Sequence, residues 1–250
     1  MKINILSQGY NVLLDNSVGH KLIELFQDES FDSFFCISAF ASEAGVNGIG
    51  FHIDKAKKYL KKVTIVVGID QKGTSKEALE SLMNLKVYSY VYHQKGKPIF
   101  HPKIYLFEGV DTSVLIIGSS NLTSFGLFSN AESSVIIQLQ NDKEADLQLL
   151  YELKNYFKGI FDLSDSNLKK ITKSRIKKWV KDDLVPDEKE RKRLYDNLKK
   201  KKKSKKLKSD FTRVKTTLAP TEFRSIRITK KGKIQISKQT ATKNIKIKSK

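Results

Sequence analysis

Residues 101–132 run HPKIYLFEGVDTSVLIIGSSNLTSFGLFSNAE. The first half alternates. His101, Lys103, Tyr105 and Phe107 fall on one face of an extended segment, and Pro102, Ile104 and Leu106 on the other. Gly109 and Asp111 supply a turn, and Ser113 to Ile117 runs back as a second strand. Centring that turn on Val110 predicts Ser119 opposite His101, with Asn121 just beyond it. Paired residues in such a hairpin stand ~5 Å apart. An imidazole, an ammonium, a hydroxyl and a carboxamide are therefore expected at the open end of one hairpin.

Outside the hairpin, short apolar runs alternate with amphipathic ones. Phe31 to Ala41 and Val63 to Ile69 are predicted as buried strands, and Val87 to Tyr92 and Ser133 to Leu139 as further strands. A helix is expected after Asn16-Ser17, burying Leu22, Ile23, Leu25 and Phe26. Others are expected over Thr74 to Leu85 and Asp142 to Phe157. Ser42 to Lys62 opens on SEAGVNGIG, expected as a Gly-broken loop or irregular helix start, and closes on a basic helix, IDKAKKYLKK. Alternating strands and helices argue for an α/β body, and the hairpin makes its sheet mixed, with helices flanking it.

Charge divides the chain unevenly. Residues 1–160 hold 16 lysines and no arginine against 17 acids, whereas residues 161–250 hold 31 lysines and arginines against 10 acids. The first part is expected as an ordinary globular body over 1–163. Residues 164–250 are expected as a Lys/Arg-rich C-terminal DNA-binding appendage, partly ordered, because a polycation is the footprint of a polyanion binder. Leu168 to Lys206 is expected as helical, with Trp179 an anchor and a break at Val185-Pro186. RSIRITKKGKIQISKQ is expected as two short strands around a Lys-Lys-Gly turn, with Phe223 a second anchor and the last dozen residues loose. Lys200, Lys201, Lys202, Arg224 and Arg227 are the candidate DNA contacts.

Other classes are excluded more simply. Cys36 is the sole cysteine, so no internal disulfide and no Cys-based zinc site can form. The N-terminus has too short an apolar run for a signal peptide, and no stretch approaches the ~18 apolar residues of a membrane span. A cytoplasmic protein is expected. His20, His52 and His93 are scattered without ligand spacing and are assigned structural or surface places. The basic loop His93 to Lys97 is assigned as a solvated connector.

Singly, a His-x-Lys on a strand is a polar face, and a Ser-Ser-Asn after a strand is a turn. Together they form a set suited to phosphorus chemistry. A histidine can be the nucleophile, a lysine and an amide can hold phosphate oxygens, and a carboxylate can orient the imidazole. The set resembles the active-site motif of the phospholipase D superfamily: His101, Lys103, Gly118-Ser119 and Asn121, with Glu132 eleven residues further on. The wording is closest to the metal-independent restriction endonucleases of BfiI and NgoFVII type. Where many members carry Asp five residues after the lysine, this chain has Glu108, for which a structural role is expected.

The resemblance implies a phospholipase D-like mixed sheet flanked by helices and a composite active site in a homodimer, because the motif occurs once. It implies hydrolysis of double-stranded DNA through a phosphohistidine on His101, with no metal and no cofactor. Lys103, Ser119 and Asn121 would hold the phosphoryl oxygens, and Glu132 would fix the imidazole tautomer. A type II restriction endonuclease is the leading expectation. A non-specific or defence-associated nuclease comes second, and a catalytically inactive DNA-binding protein third. Phospholipid is disfavoured, because the sequence offers no membrane-docking amphipathic helix.

Overall fold

The computed structural model describes residues 1–201 and 218–236. In chain order the elements are β1 (Lys2–Gln8), α1 (Val18–Leu25), β2 (Phe31–Ser38), α2 (Glu43–Ala56), β3 (Lys62–Gly68), α3 (Lys76–Asn84), β4 (Tyr88–Tyr92), β5 (Lys103–Gly109), β6 (Thr112–Gly118), α4 (Ser124–Phe128), β7 (Glu132–Gln140), α5 (Glu144–Tyr156), α6 (Lys158–Phe161), β8 (Leu168–Lys170), α7 (Lys173–Lys181), α8 (Glu188–Lys201), α9 (Thr221–Ser225), β9 (Ile226–Ile228) and β10 (Ile234–Ile236). Eight strands form one mixed sheet in the order β1-β7-β6-β5-β2-β3-β4-β8. β2, β3 and β4 run parallel, and the remaining pairs are antiparallel.

Both faces of the sheet are covered, which is why its central strands are apolar on both sides. Tyr105 and Phe107 of β5 join a core with Leu22, Ile49, Ile53 and Leu82 of α1, α2 and α3. Ile104 and Leu106, one residue out of phase, join a second core with Leu150 of α5 and Ile160 of α6. The alternation expected for the hairpin is thus present, but its register is not. Ile104 pairs with Ile117 and Tyr105 with Ile116, so the loop is the two residues Val110 and Asp111. The turn is centred half a residue later than a turn on Val110, which shifts every partner by one.

Residues 42–56 also bear on the sequence expectation. Of the two expectations for SEAGVNGIG, a Gly-broken loop or an irregular helix start, the helix start stands, and α2 runs unbroken from Glu43. Ser42 caps α2 by accepting the Gly45 N–H at 3.1 Å, and Val46, Ile49, Ile53 and Ala56 are fully buried along one stripe. The glycines serve packing. A Cβ on Gly48 would stand 2.1 Å from the Phe223 ring. The helix stops at Ala56, so the expected basic helix beyond it is a turn leading into β3.

Beyond residue 163 the chain does not detach. β8 pairs antiparallel with β4 through Tyr90↔Lys170 and Tyr92↔Leu168, so that stretch is strand where helix was expected. Ile171, Ile176, Trp179, Val185, Ala219 and Phe223 enter the same core as α1, α2 and α3. Glu188 at the start of α8 accepts the Glu43 N–H at 2.8 Å and the Ser75 hydroxyl at 2.7 Å. A border at Leu163 therefore cuts through packed structure. The expected strand pair is present as β9 and β10. Lys202 and the last dozen residues lie outside the described residues. No described helix is long and apolar enough to cross a membrane.

Candidate active site

The open end of the β5–β6 hairpin gathers the motif. His101 lies two residues before β5 with an exposed side chain, and Lys103 opens the strand almost fully buried, at 5% exposure. The Lys103 Nζ reaches the His101 Nδ1 at 2.6 Å, its Nε2 at 3.1 Å and its carbonyl oxygen at 2.8 Å. The Phe40 ring meets the imidazole edge-on with centroids 5.4 Å apart. Partial desolvation of the ring, and secondly the Lys103 charge, hold the His101 pKa below its ordinary 6.5. Desolvation also lowers the Lys103 pKa, against the opposing charge of Glu132.

From the other strand come Gly118, Ser119 and Asn121. A Cβ on Gly118 would stand 2.1 Å from the Ser134 Oγ, so only glycine lets β6 approach β7 there. The Ser119 Oγ donates to the Glu132 carboxylate and accepts the Ser133 N–H at 3.1 Å. Asn121 accepts the Phe40 N–H on Oδ1 at 3.2 Å, which leaves its amide N–H groups as the donors for a ligand.

A frame that sequence reasoning missed sets the loop between β6 and α4. The Tyr105 hydroxyl donates to the Ser120 carbonyl at 2.8 Å. Burial, its largest cause, raises the Tyr105 pKa well above 10, so the phenol stays a neutral donor. Ser38 accepts the Leu122 N–H at 2.9 Å and donates to the Phe40 carbonyl at 2.8 Å. Thr123 caps α4 by accepting the Gly126 N–H at 2.9 Å. Gln8 donates to the Gly126 carbonyl at 3.0 Å. Ser38 was the available signal: a lone hydroxyl at the end of an apolar strand.

Glu132 departs from its expected part. Its carboxylate takes the Ser119 hydroxyl and, at 3.0 Å, the Asn130 amide, while Lys103 occupies the ring nitrogens of His101. Glu108, expected in the turn, lies instead within β5, opposite Ser113, and pairs with Lys154 of α5 at the end of the strand away from the motif. Of the candidate DNA contacts, Lys200 and Lys201 end α8, Arg224 lies in α9, and Arg227 is exposed on β9 with its guanidinium donating to the Ile226 carbonyl at 2.8 Å. Among the described interactions Arg227 contacts no motif residue. His93, assigned a structural or surface place, pairs with the buried Asp70 at 2.6 Å.

Residues 48–161 match the family model described as cardiolipin synthase, PLD-like domain. That stretch, a little under half of the chain, is similar to the family, and it lies within the mixed α/β sheet and its flanking helices. Among solved structures the chain is similar to a phospholipase D family member, Nuc, from Salmonella typhimurium, at 19% identity over 68% of this chain and 98% of that one, with a TM-score of 0.42. It is similar to NucT from Helicobacter pylori at 15% identity over 64% and 96%, with a TM-score of 0.46. It is also similar to phosphatidylserine synthase of Haemophilus influenzae at 13% identity over 72% and 44%, with a TM-score of 0.45. No curated protein matches.

Proposed function

We propose that this chain is a metal-independent endonuclease that hydrolyses phosphodiester bonds of double-stranded DNA through a phosphohistidine, acts as a homodimer, and serves as a type II restriction enzyme. The observation that carries the reading is the convergence of His101, Lys103, Ser119 and Asn121 at one hairpin end of a phospholipase D-like domain.

The chemistry follows from the contacts. The Lys103 ammonium rests on the imidazole, a neutral acceptor. An arriving phosphodiester is a stronger, anionic acceptor and would draw the ammonium and the Asn121 amide onto its oxygens, freeing the ring. A ring nitrogen of His101 then attacks phosphorus and a P–N bond forms. The P–O bond to the leaving oxygen breaks, and that oxygen takes a proton from the second subunit's copy of the same histidine. Water gives a proton back to that histidine, attacks phosphorus and releases His101. A depressed imidazole pKa favours the neutral ring that attacks, while the second copy must hold the single proton that the pair shares.

Two features support the dimer. The motif occurs once per chain. Beside it, Ile5, Val135 and Ile117 pair directly across β1, β7 and β6, and with Ile3 they stand 37 to 69% exposed. An apolar row of that kind next to a half-built site suits burial against a second copy. The basic final third supports a nucleic-acid substrate. The packing of β8, α7 and α9 into the body favours a second reading of the role, a non-specific or defence-associated nuclease, because no free-standing recognition module stands apart among the described residues.

The test is cleavage of plasmid DNA in excess EDTA, with denaturing quench during turnover. Undiminished cleavage and an acid-labile DNA adduct on His101 are expected. A strict need for magnesium would overturn the mechanism. Discrete bands indicate restriction, and a smear indicates the second reading.

A further inference from the structure

Asp70 lies at the end of β3, outside the motif, and is 6% exposed. Its two carboxylate oxygens go to two ends of one loop. Oδ1 pairs with the His93 Nδ1 at 2.6 Å, where the chain leaves β4. Oδ2 accepts the Phe100 N–H at 2.7 Å, on the residue just before His101. The carboxylate's own backbone is fixed in turn. Gly73 donates its N–H to the Asp70 carbonyl at 3.0 Å, and Thr74 donates its hydroxyl to the Gly68 carbonyl at 2.6 Å. Gln71 and Lys72 follow with φ of 54° and 55°, left-handed conformations that non-glycine residues hold only where surroundings enforce them.

The loop between these two ends is open. A cavity of about 230 Å³ lies against it, lined by Ile69, Asp70, His93, Gln94, Gly96 and Ile99 among others. A Cβ on Gly96 would meet nothing within 4 Å. A segment so lightly packed takes its course from its fixed ends, and the fixed end nearest the chemistry is the Phe100 peptide.

We infer that Asp70 is a positioning residue for His101: it clamps the Phe100 peptide through one carboxylate oxygen and the loop's start through His93, and so sets where the imidazole stands over the phosphorus. The consequence for rate rests on the nuclease reading above; the consequence for the imidazole does not. The clamp acts through the backbone one residue away, so its loss displaces the ring without removing any group that touches substrate. Misplacing a reacting group by about 1 Å costs up to ~10²-fold in rate.

The experiment compares wild type, Asp70→Ala, Asp70→Asn and His93→Ala in the full-length protein. Two readouts are used: histidine-ring NMR signals, with His101 assigned by its loss in His101→Ala, and the split between kcat and KM on plasmid DNA. Asp70→Ala is expected to shift or broaden the His101 signal and to lower kcat about 10- to 100-fold, with KM within about twofold. Asp70→Asn keeps an oxygen for the Phe100 N–H and should restore both readouts toward wild type. His93→Ala loses one arm only and should fall between, which keeps the test alive if Asp70→Ala does not fold. A His101 signal unchanged in Asp70→Ala, or in His93→Ala where the Asp70 alanine variant does not fold, overturns the inference. So does a loss that appears in KM alone. Should wild type not cleave DNA at all, a displaced His101 signal still supports the clamp, and it is the nuclease reading that fails.

Discussion

The hairpin end and the final third of the chain face opposite problems in burial. At the hairpin end a few polar groups are drawn into an apolar sheet, and each is tied. Lys103 lies on His101, Tyr105 on Ser120, and Ser38 on Leu122 and Phe40. The sequence of the final third sets 31 basic residues against 25 apolar ones. There the lysines of α7 stay exposed, while Ile176 and Trp179, three residues apart, turn inward. Local charge density therefore says little about whether a segment belongs to the body. What decides is whether spaced apolar side chains find a seat, as Phe223 does against Gly48 and, at 4.7 Å between rings, Phe128.

The largest expected effect lies on the hairpin side. His101→Ala removes the proposed nucleophile and should lower cleavage at least ~10³-fold, since single knockouts of a covalent nucleophile cost that much or more. The ring is exposed, so thermal stability and duplex affinity should hardly change. Single-turnover cleavage beside a melting curve and a binding isotherm checks this. A variant that fails to bind would show that the histidine serves the interface and not the reaction.

Phe223→Ala is the matching experiment in the final third. The ring is 2% exposed and sits behind α4, whose first turn follows Asn121. Truncating such a ring costs about 3–5 kcal/mol. Denaturant unfolding should register that loss, and a chain ended at Leu163 should fare worse, because it also loses the β8 edge and Trp179. Wild-type stability in either would restore the picture of a neutral body with a detachable tail.

The two regions also differ in how much of them was legible. Strand alternation fixed the faces of β5, because Tyr105 and Phe107 differ in phase from Ile104 and Leu106 and each face has its own core. The register was off by one, since Gly109-Val110-Asp111 serves a two- or a three-residue loop equally well. α2 was left open between loop and helix because glycine lowers helix propensity, and the rings that require glycine at Gly48 come from residue 223, far along the chain. The partner of Glu132 was hidden for a similar reason: which hydroxyl or ring a carboxylate reaches depends on the strand register. β8 was masked by its lysines, whose backbone pairs with β4 whatever their side chains.

A smaller effect concerns protonation. Desolvation is the first cause of the lowered His101 pKa and the Lys103 charge the second. The ring is therefore expected to titrate below 6.5, and Lys103→Met should raise its midpoint without returning it to 6.5. The unfolded chain takes that proton first as pH falls through 6.5, so this group's contribution to stability declines there and below. Cleavage limited by the free imidazole should persist under mildly acidic conditions and fail only as pH passes the depressed value. Ring NMR over pH in the two proteins measures the order. An unchanged midpoint in Lys103→Met would mean that Lys103 is not charged beside the ring, and a wild-type midpoint above 6.5 would mean that burial does not set the ring's protonation either.

The smallest expected effect separates the tail's packing from its binding. Arg227 is exposed on β9, and its guanidinium rests on the neighbouring Ile226 carbonyl, a contact a phosphate would displace readily. If it meets the duplex backbone, Arg227→Ala should flatten the slope of log affinity against log salt by about 0.9 and weaken all sequences alike. If it reads a base edge, affinity should fall by about 1–3 kcal/mol on one sequence only. Ending the chain at Ile236 removes five lysines, Lys238, Lys243, Lys246, Lys248 and Lys250, and spares every described element. Its slope should therefore flatten several times more than that of Arg227→Ala, with unfolding unchanged. Identical slopes in all three proteins would place the DNA contacts elsewhere, on Lys200 to Lys202, on Lys55 to Lys62 or on the loop Lys95 to Lys97.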